Sequence, residues 1–294
     1  MPQPETLTQM PEPGSAPSLE GWSGTVTAWD GAGRPCAAED RVPAVIVICE
    51  HASNAVAAGW PALARDTAAL QGHAGHDPGA LGLARALGPH LARRSGPVEL
   101  IHAPLSRLVY DLNRSPDRRD AMPDRIETFS ISANADLDAQ DRLARMRQVY
   151  LPFHALVRAR VARALVLGLR PAILTLHSFT PVWHGVPRAV EFGIIHDDLP
   201  DLALAILAGA GDLGLVTRLN EPYSAADHVT HTLRLHALPY GLPNAMLELR
   251  NDLIATPAQQ EDMAARLAPV LSRAMAQVTE RETAQGPEAA CPDR

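Results

Sequence analysis

Three places in the sequence put acid–base or metal-ligating side chains at the end of an apolar run. Glu50-His51 follows the run 44–49, His177-Ser178 follows the run 172–176, and Glu248-Leu249-Arg250 closes the run 244–249. If these runs are parallel strands of one sheet, two imidazoles and a carboxylate meet at a single sheet edge. Neutral imidazoles and carboxylates hold Zn²⁺ while leaving one coordination position for water. A further Glu nearby can take the proton of that water. One strand-end His is more often a hydrogen-bonding or capping group than a ligand. Three such placements together favour the metal reading, although 12 His in the chain make some coincidences expected.

Two further clusters carry chemistry and each has a plain structural alternative. In His73-Ala74-Gly75-His76-Asp77-Pro78-Gly79, Asp77 is either the N-cap of the helix that follows, with Pro78 in its first turn, or a ligand held on a turn. Asp111-Leu112-Asn113-Arg114 is either a turn with a solvated Arg or an anion clamp, because the planar Arg fork grips a carboxylate with two hydrogen bonds.

The elements that must position these residues alternate along the chain. Continuous Val- and Ile-rich runs suit strands buried on both faces. Strands are predicted at 44–49, 98–102, 172–176, 189–196, 215–219 and 244–249. Helices are predicted at 60–70, 79–94, 138–167 (interrupted near Pro152), 199–210, 229–238 and 257–277. Such alternation implies an α/β sandwich of three layers with a mixed, largely parallel sheet, and ligands of such sheets gather at the carboxyl ends of the strands. Residues 1–40 are rich in Pro, Gly, Ser and Ala and read as a flexible arm. Residues 41–280 read as one domain, and residues 281–294 as a flexible tail.

Composition narrows the function. The chain has 294 residues and a net charge of −7, which disfavours general nucleic-acid binding. All 26 basic residues are Arg. Without Lys there is no Schiff-base catalysis, no pyridoxal-phosphate lysine and no P-loop lysine. The cysteines Cys36, Cys49 and Cys291 form no CxxC and no disulfide framework, which suits a reducing cytoplasm. No signal-peptide pattern opens the chain, and no apolar run reaches the roughly 20 residues that a membrane span needs.

The blocks Val47-Ile48-Cys49-Glu50-His51-Ala52-Ser53-Asn54, His76-Asp77-Pro78-Gly79-Ala80, Ser106-Arg107-Leu108-Val109-Tyr110-Asp111-Leu112-Asn113-Arg114 and Leu174-Thr175-Leu176-His177-Ser178 resemble the N-formylglutamate amidohydrolase family. In outline the chain is also similar to zinc carboxypeptidases and aspartoacylase-type deacylases. That resemblance implies a phosphorylase/hydrolase-like α/β fold and one divalent metal per chain, Zn²⁺ by type. By the resemblance His51 and His177 are metal ligands, Glu248 is the general base, and Asn113 and Arg114 hold the substrate carboxylate. Asn54 and Ser178 line the substrate site, and Arg107 steadies the oxyanion. The wider group carries its third ligand, a Glu, three residues after the first His. Here Asn54 stands there, so the third ligand is Asp77, with Glu50 or His76 as alternatives. The expected activity is hydrolysis of the amide of an N-acyl amino acid such as N-formylglutamate. The alternatives are a carboxypeptidase-like enzyme, another deacylase, or a non-catalytic ligand-binding relative. The expected partner is a small-molecule substrate, with neither nucleic acid nor membrane involved.

Overall fold

A computed structural model describes residues 22–285. We number the eight strands of its main sheet β1 (Thr25–Trp29), β2 (Pro35–Cys36), β3 (Val45–Cys49), β4 (Val98–His102), β5 (Ala172–Phe179), β6 (Phe192–Ile195), β7 (Thr217–Leu219) and β8 (Asn244–Arg250). Their spatial order is β7-β6-β8-β5-β3-β4-β1-β2. The centre of the sheet is parallel: β5 pairs in parallel with both β3 and β8, and β3 with β4. β6 runs antiparallel to β8, and β1 antiparallel to β4.

Alternation along these strands separates two cores. Val45, Val47 and Cys49 face one side with Leu174, Leu176, Leu247 and Leu249. Helices α1 (Ala80–Ser95), α3 (Asp201–Gly209) and α5 (Pro257–Gln285) cover that side. Ile46, Ile48, Ile173 and Met246 face the other side, under α2 (Leu151–Val166) and α4 (His231–His236). The result is a three-layer α/β sandwich, as the alternating pattern implies. His177 and Glu248 continue the second series by the two-residue period, so both belong to the α2/α4 face.

Several elements differ from the sequence expectation. The expected arm is not loose over residues 25–36, because Thr25–Trp29 pairs residue by residue with β4. Residues 1–21 and 286–294 lie outside the described part, and the expected tail is helical as far as Gln285. β5 runs three residues past the expected end, so His177 and Ser178 lie within the strand rather than after it. The helix expected over 60–70 reduces to single turns at Leu63–Arg65 and Thr67–Gln71. Pro152 does not break the long helix. It falls where a π-helical turn at Met146–Tyr150 passes directly into α2, so the regular i→i−4 bonding is already interrupted there.

Candidate metal centre

The three parallel strands bring the predicted residues to one end of the sheet. β5 and β8 are in register with His177 opposite Glu248. His51 lies in the turn just past β3, and its carbonyl accepts from the backbone N–H of Asp77 at 2.9 Å. That bond fixes the turn before α1. The N-cap position of α1 belongs to Gly79, not to Asp77, and no side chain caps it. Gly79 adopts φ +83°, and a Cβ there would meet the Ile254 carbonyl at 2.4 Å. The glycine therefore leaves the Asp77 carboxylate available to the histidines.

Asp77 Oδ2 lies 2.9 Å from His177 Nδ1 and 3.3 Å from His51 Nδ1, and the two Nδ1 atoms are 3.2 Å apart. One ligand atom from each of the three residues falls within 4.8 Å of the others, and all three side chains are buried. The backbone N–H of Ser178 also donates to Asp77 Oδ2, at 3.2 Å. The outward nitrogens have their own carboxylates. His51 Nε2 is 2.7 Å from Asp111 Oδ1, and His177 Nε2 is 3.2 Å from Glu50 Oε2. A carboxylate behind an imidazole fixes the ring's tautomer and raises its basicity toward whatever the other nitrogen faces. Arg107 bridges two of the acids, donating to Asp111 Oδ2 at 2.7 Å and standing 3.5 Å from Asp77 Oδ1.

The charges are strongly coupled. Burial alone would raise Asp111, but Arg107 and His51 outweigh it and hold the carboxyl well below the usual carboxylate range. Burial opposes ionisation of Asp77 too, and the two imidazoles overcome it. Burial would depress His177, yet Glu50 and Asp77 hold it well above its ordinary value. Burial and the Arg107 charge pull His51 down, and Asp111 and Asp77 more than compensate. Glu248 is different. Burial pushes its carboxyl up to about 7 despite the nearby His177 charge.

This donor set suits a divalent cation. Glu50, Asp77, Asp111 and Glu248 are at most 5% exposed, and the fixed positive charge among them is Arg107. Glu50 Oε1 and Glu248 Oε2 are buried without a partner, and Glu50 Oε2 has only its 3.2 Å ion-pair contact with His177 Nε2, which lacks hydrogen-bond geometry. Buried carboxylates normally find charge and hydrogen-bonding compensation.

The other expected residues sit differently. His76 turns away to the Leu70 carbonyl at 3.2 Å. Asn54 is exposed. The Ser178 hydroxyl donates to the Pro78 carbonyl at 2.8 Å. The Asn113 amide bonds the Val229 carbonyl and the Thr232 N–H, so it ties the 111–114 loop to the start of α4. Arg114 is engaged by Asp120 at 3.2 Å and by the carbonyls of Asn113 and His228. Sequence reasoning missed the pairing of Asp111 with His51 across 60 positions, and also the neighbourhood of Tyr223. Gly193 pairs with Glu248 across β6 and β8, and a Cβ on it would meet the Glu221 carbonyl at 2.2 Å. That close approach lays the loop carrying Tyr223 over Glu248.

A three-layer α/β sandwich with a His–Asp–His cluster and a buried Glu at the carboxyl ends of its parallel strands has the layout of a hydrolase. The family model for N-formylglutamate amidohydrolase matches residues 43–255, more than half of the chain. The chain belongs to the N-formylglutamate amidohydrolase family. A gene product of Agrobacterium tumefaciens of known structure is 41% identical, with 87% of this chain and 96% of that one covered and a TM-score of 0.78. The N-formylglutamate amidohydrolase from Ralstonia eutropha is 16% identical over 84% of this chain and 96% of that one, with a TM-score of 0.55, a likeness of fold. No curated protein matches. Among the described residues no helix is long and apolar enough to cross a membrane.

Proposed function

We propose that the chain is a metal-dependent amidohydrolase that removes the acyl group, formyl by preference, from an N-acyl amino acid such as N-formylglutamate. The reading rests on one observation above all. His51, Asp77 and His177 converge within 4.8 Å, beside a buried Glu248 carboxylate with an unpartnered oxygen.

His51, His177 and Asp77 would hold the divalent cation, Zn²⁺ by donor type. When bound, the cation acidifies water and polarises a carbonyl. The Asp111 bond keeps His51 in the ligating tautomer, and the Glu50 carboxylate faces His177 Nε2 with its charge. Glu248 takes a proton from the attacking water at Oε2. The water oxygen bonds to the acyl carbon, the C–N bond breaks, and Glu248 returns the proton to the departing nitrogen. Formate (or another carboxylate) and the free amino acid leave. Burial raises the Glu248 carboxyl, and a base made stronger in this way suits both transfers. Arg107 presents positive charge to the carbonyl oxygen as it becomes an oxyanion.

The test pairs metal analysis with a chelator-sensitive assay on N-formylglutamate. The reading expects one metal per chain, hydrolysis lost on chelation and restored by Zn²⁺, and both metal and activity lost in His51→Ala and His177→Ala. Glu248→Gln is expected to keep the metal and lose about 10²–10⁴-fold in kcat. Bound metal with activity only on another acyl amino acid would move the substrate. No metal and no hydrolysis after reconstitution would overturn the reading.

A further inference from the structure

Arg188 is an arginine seated for a ligand. Its guanidinium lies over three aromatic rings, 5.5 Å from the centroid of Phe179, 5.0 Å from Trp183 and 5.1 Å from Tyr223. Nη1 donates to the Tyr223 hydroxyl at 3.2 Å and approaches the Thr180 carbonyl at 3.4 Å. Among the described residues it forms no ion pair. The acid nearest in sequence, Glu191, is taken by Arg250 at 3.2 Å.

Its position relative to the metal centre follows from strand register. Phe179 stands two residues beyond His177 on β5, and Arg250 two residues beyond Glu248 on β8, with the pairs His177–Glu248 and Phe179–Arg250 in register. Two residues along a strand is about 7 Å on the same face. Arg250 bonds the Arg188 carbonyl at 3.3 Å, and the Tyr223 loop packs over Glu248 through Gly193. The guanidinium is therefore anchored one pleat outward from the groups that would attack the amide. The anchor is stiff: the hairpin Val182–Trp183/Val186–Pro187, which carries the Trp183 ring, is tied by the His184 N–H to Glu127 at 2.8 Å. A cation stacked on aromatic faces keeps its charge and its in-plane donors for a partner at the ring edge.

We propose that Arg188 grips a free carboxylate of the acyl amino acid, with Tyr223 and the aromatic rings holding its fork in place. This rests on the amidohydrolase reading and adds to it a substrate-binding residue besides the expected Arg114, whose Nε and Nη1 already bond Asp120 and two carbonyls. It makes a free carboxylate, not only an acyl amide, a requirement for good substrates.

The test uses Arg188→Met, which keeps the length and the ring contacts, and Arg188→Lys, which keeps charge without the fork. Hydrolysis of N-formylglutamate is compared with that of its two mono-amides, and binding of glutarate, an unreactive dicarboxylate, is measured by calorimetry. In Arg188→Met, KM for N-formylglutamate is expected to rise about thirty-fold, with the loss falling on KM more than on kcat. Glutarate affinity should fall by a similar factor, and the preference for the diacid over one mono-amide should disappear. Arg188→Lys should lie between. An active wild type whose Arg188→Met variant folds and keeps KM, glutarate affinity and the acid preference would overturn the assignment and leave the amidohydrolase reading intact. A wild type that hydrolyses no acyl amino acid would overturn that reading instead. Glutarate binding would then decide Arg188, supporting it if lost in Arg188→Met and overturning it if absent or equal in both proteins.

Discussion

Replacing Asp111 with Asn tests whether the buried charge network exists to serve the metal centre. Asp111 Oδ1 accepts from His51 Nε2 at 2.7 Å and from the Asn113 N–H at 3.0 Å, while Oδ2 accepts from Arg107 at 2.7 Å. Asn preserves shape and one acceptor, so the bond to His51 survives without its charge. Charge-assisted hydrogen bonds contribute about 1.5–3 kcal/mol against about 0.5–1.5 for neutral ones, a difference of about 1–1.5 kcal/mol. The other side of the amide now faces Arg107 with its own N–H groups, so that contact is lost outright. Carboxylates behind metal-ligating histidines are worth about ten- to a hundredfold in metal affinity, and about tenfold corresponds to 1.4 kcal/mol. The first route gives about five- to tenfold and the second about ten- to a hundredfold, so Zn²⁺ should bind about tenfold more weakly to Asp111→Asn. Competition against a chromophoric chelator at fixed pH measures this directly. Asp120→Asn, which removes a half-buried acid paired with Arg114 and Arg118 away from the histidines, should leave the affinity unchanged. Wild-type affinity in a folded Asp111→Asn protein would refute the reasoning and reduce Asp111 to a loop-holding residue.

Other predictions follow from buried groups elsewhere. Arg160 bonds Glu99, which is 2% exposed, through two nitrogens; Arg160→Met should cost about 3–5 kcal/mol by stranding that carboxylate, read by urea denaturation. Gly79→Ala forces a Cβ against the Ile254 carbonyl at positive φ and should cost about 2 kcal/mol or more. Because the same turn aims Asp77, metal affinity should fall with it. His154 and His236 are paired at 3.0 Å, and burial lowers both, His236 to about 4. Their neutral forms belong to the fold, while unfolded His takes protons near pH 6.5, so stability present above that pH should be lost as pH falls toward 4. A pH series of denaturation midpoints should show a shallower slope in His236→Gln; equal slopes would refute this assignment.

What the sequence revealed depended on how local its cause was. The all-buried strands β3 and β4 are continuous apolar runs and are legible with boundaries within a residue. Thr25–Trp29 is not, because its burial pattern is weak and its stability comes from pairing with β4, some 70 positions away. The strand-end histidines and Glu248 are visible because parallel strands end together. Asp77 stood as either cap or ligand until the φ of Gly79 showed where the cap lies. Glu50 and His51 both lie in the turn after Cys49, outside the two-residue alternation of β3, and both reach the same His177. Asn113 and Arg114 carry residue types that suit a clamp, and only the tertiary contacts show them bonded to protein partners. Phe179 and Trp183 lie within nine residues of Arg188, but only the hairpin fold and the distant Tyr223 loop bring the three rings to its guanidinium.

The two ends of the main sheet have a bearing on how this protein can be handled. Its outermost strands are β2, of two residues, and β7, of three. Strand edges this brief give another molecule almost no backbone to zip onto. Cutting the chain after residue 40, where its composition changes, would remove β1 and β2 together. It would lay bare one side of Val98–His102, a five-residue strand whose side chains are all buried. Such a shortened protein would be expected to cling to its own copies through that strand, which neighbours the strand leading into His51.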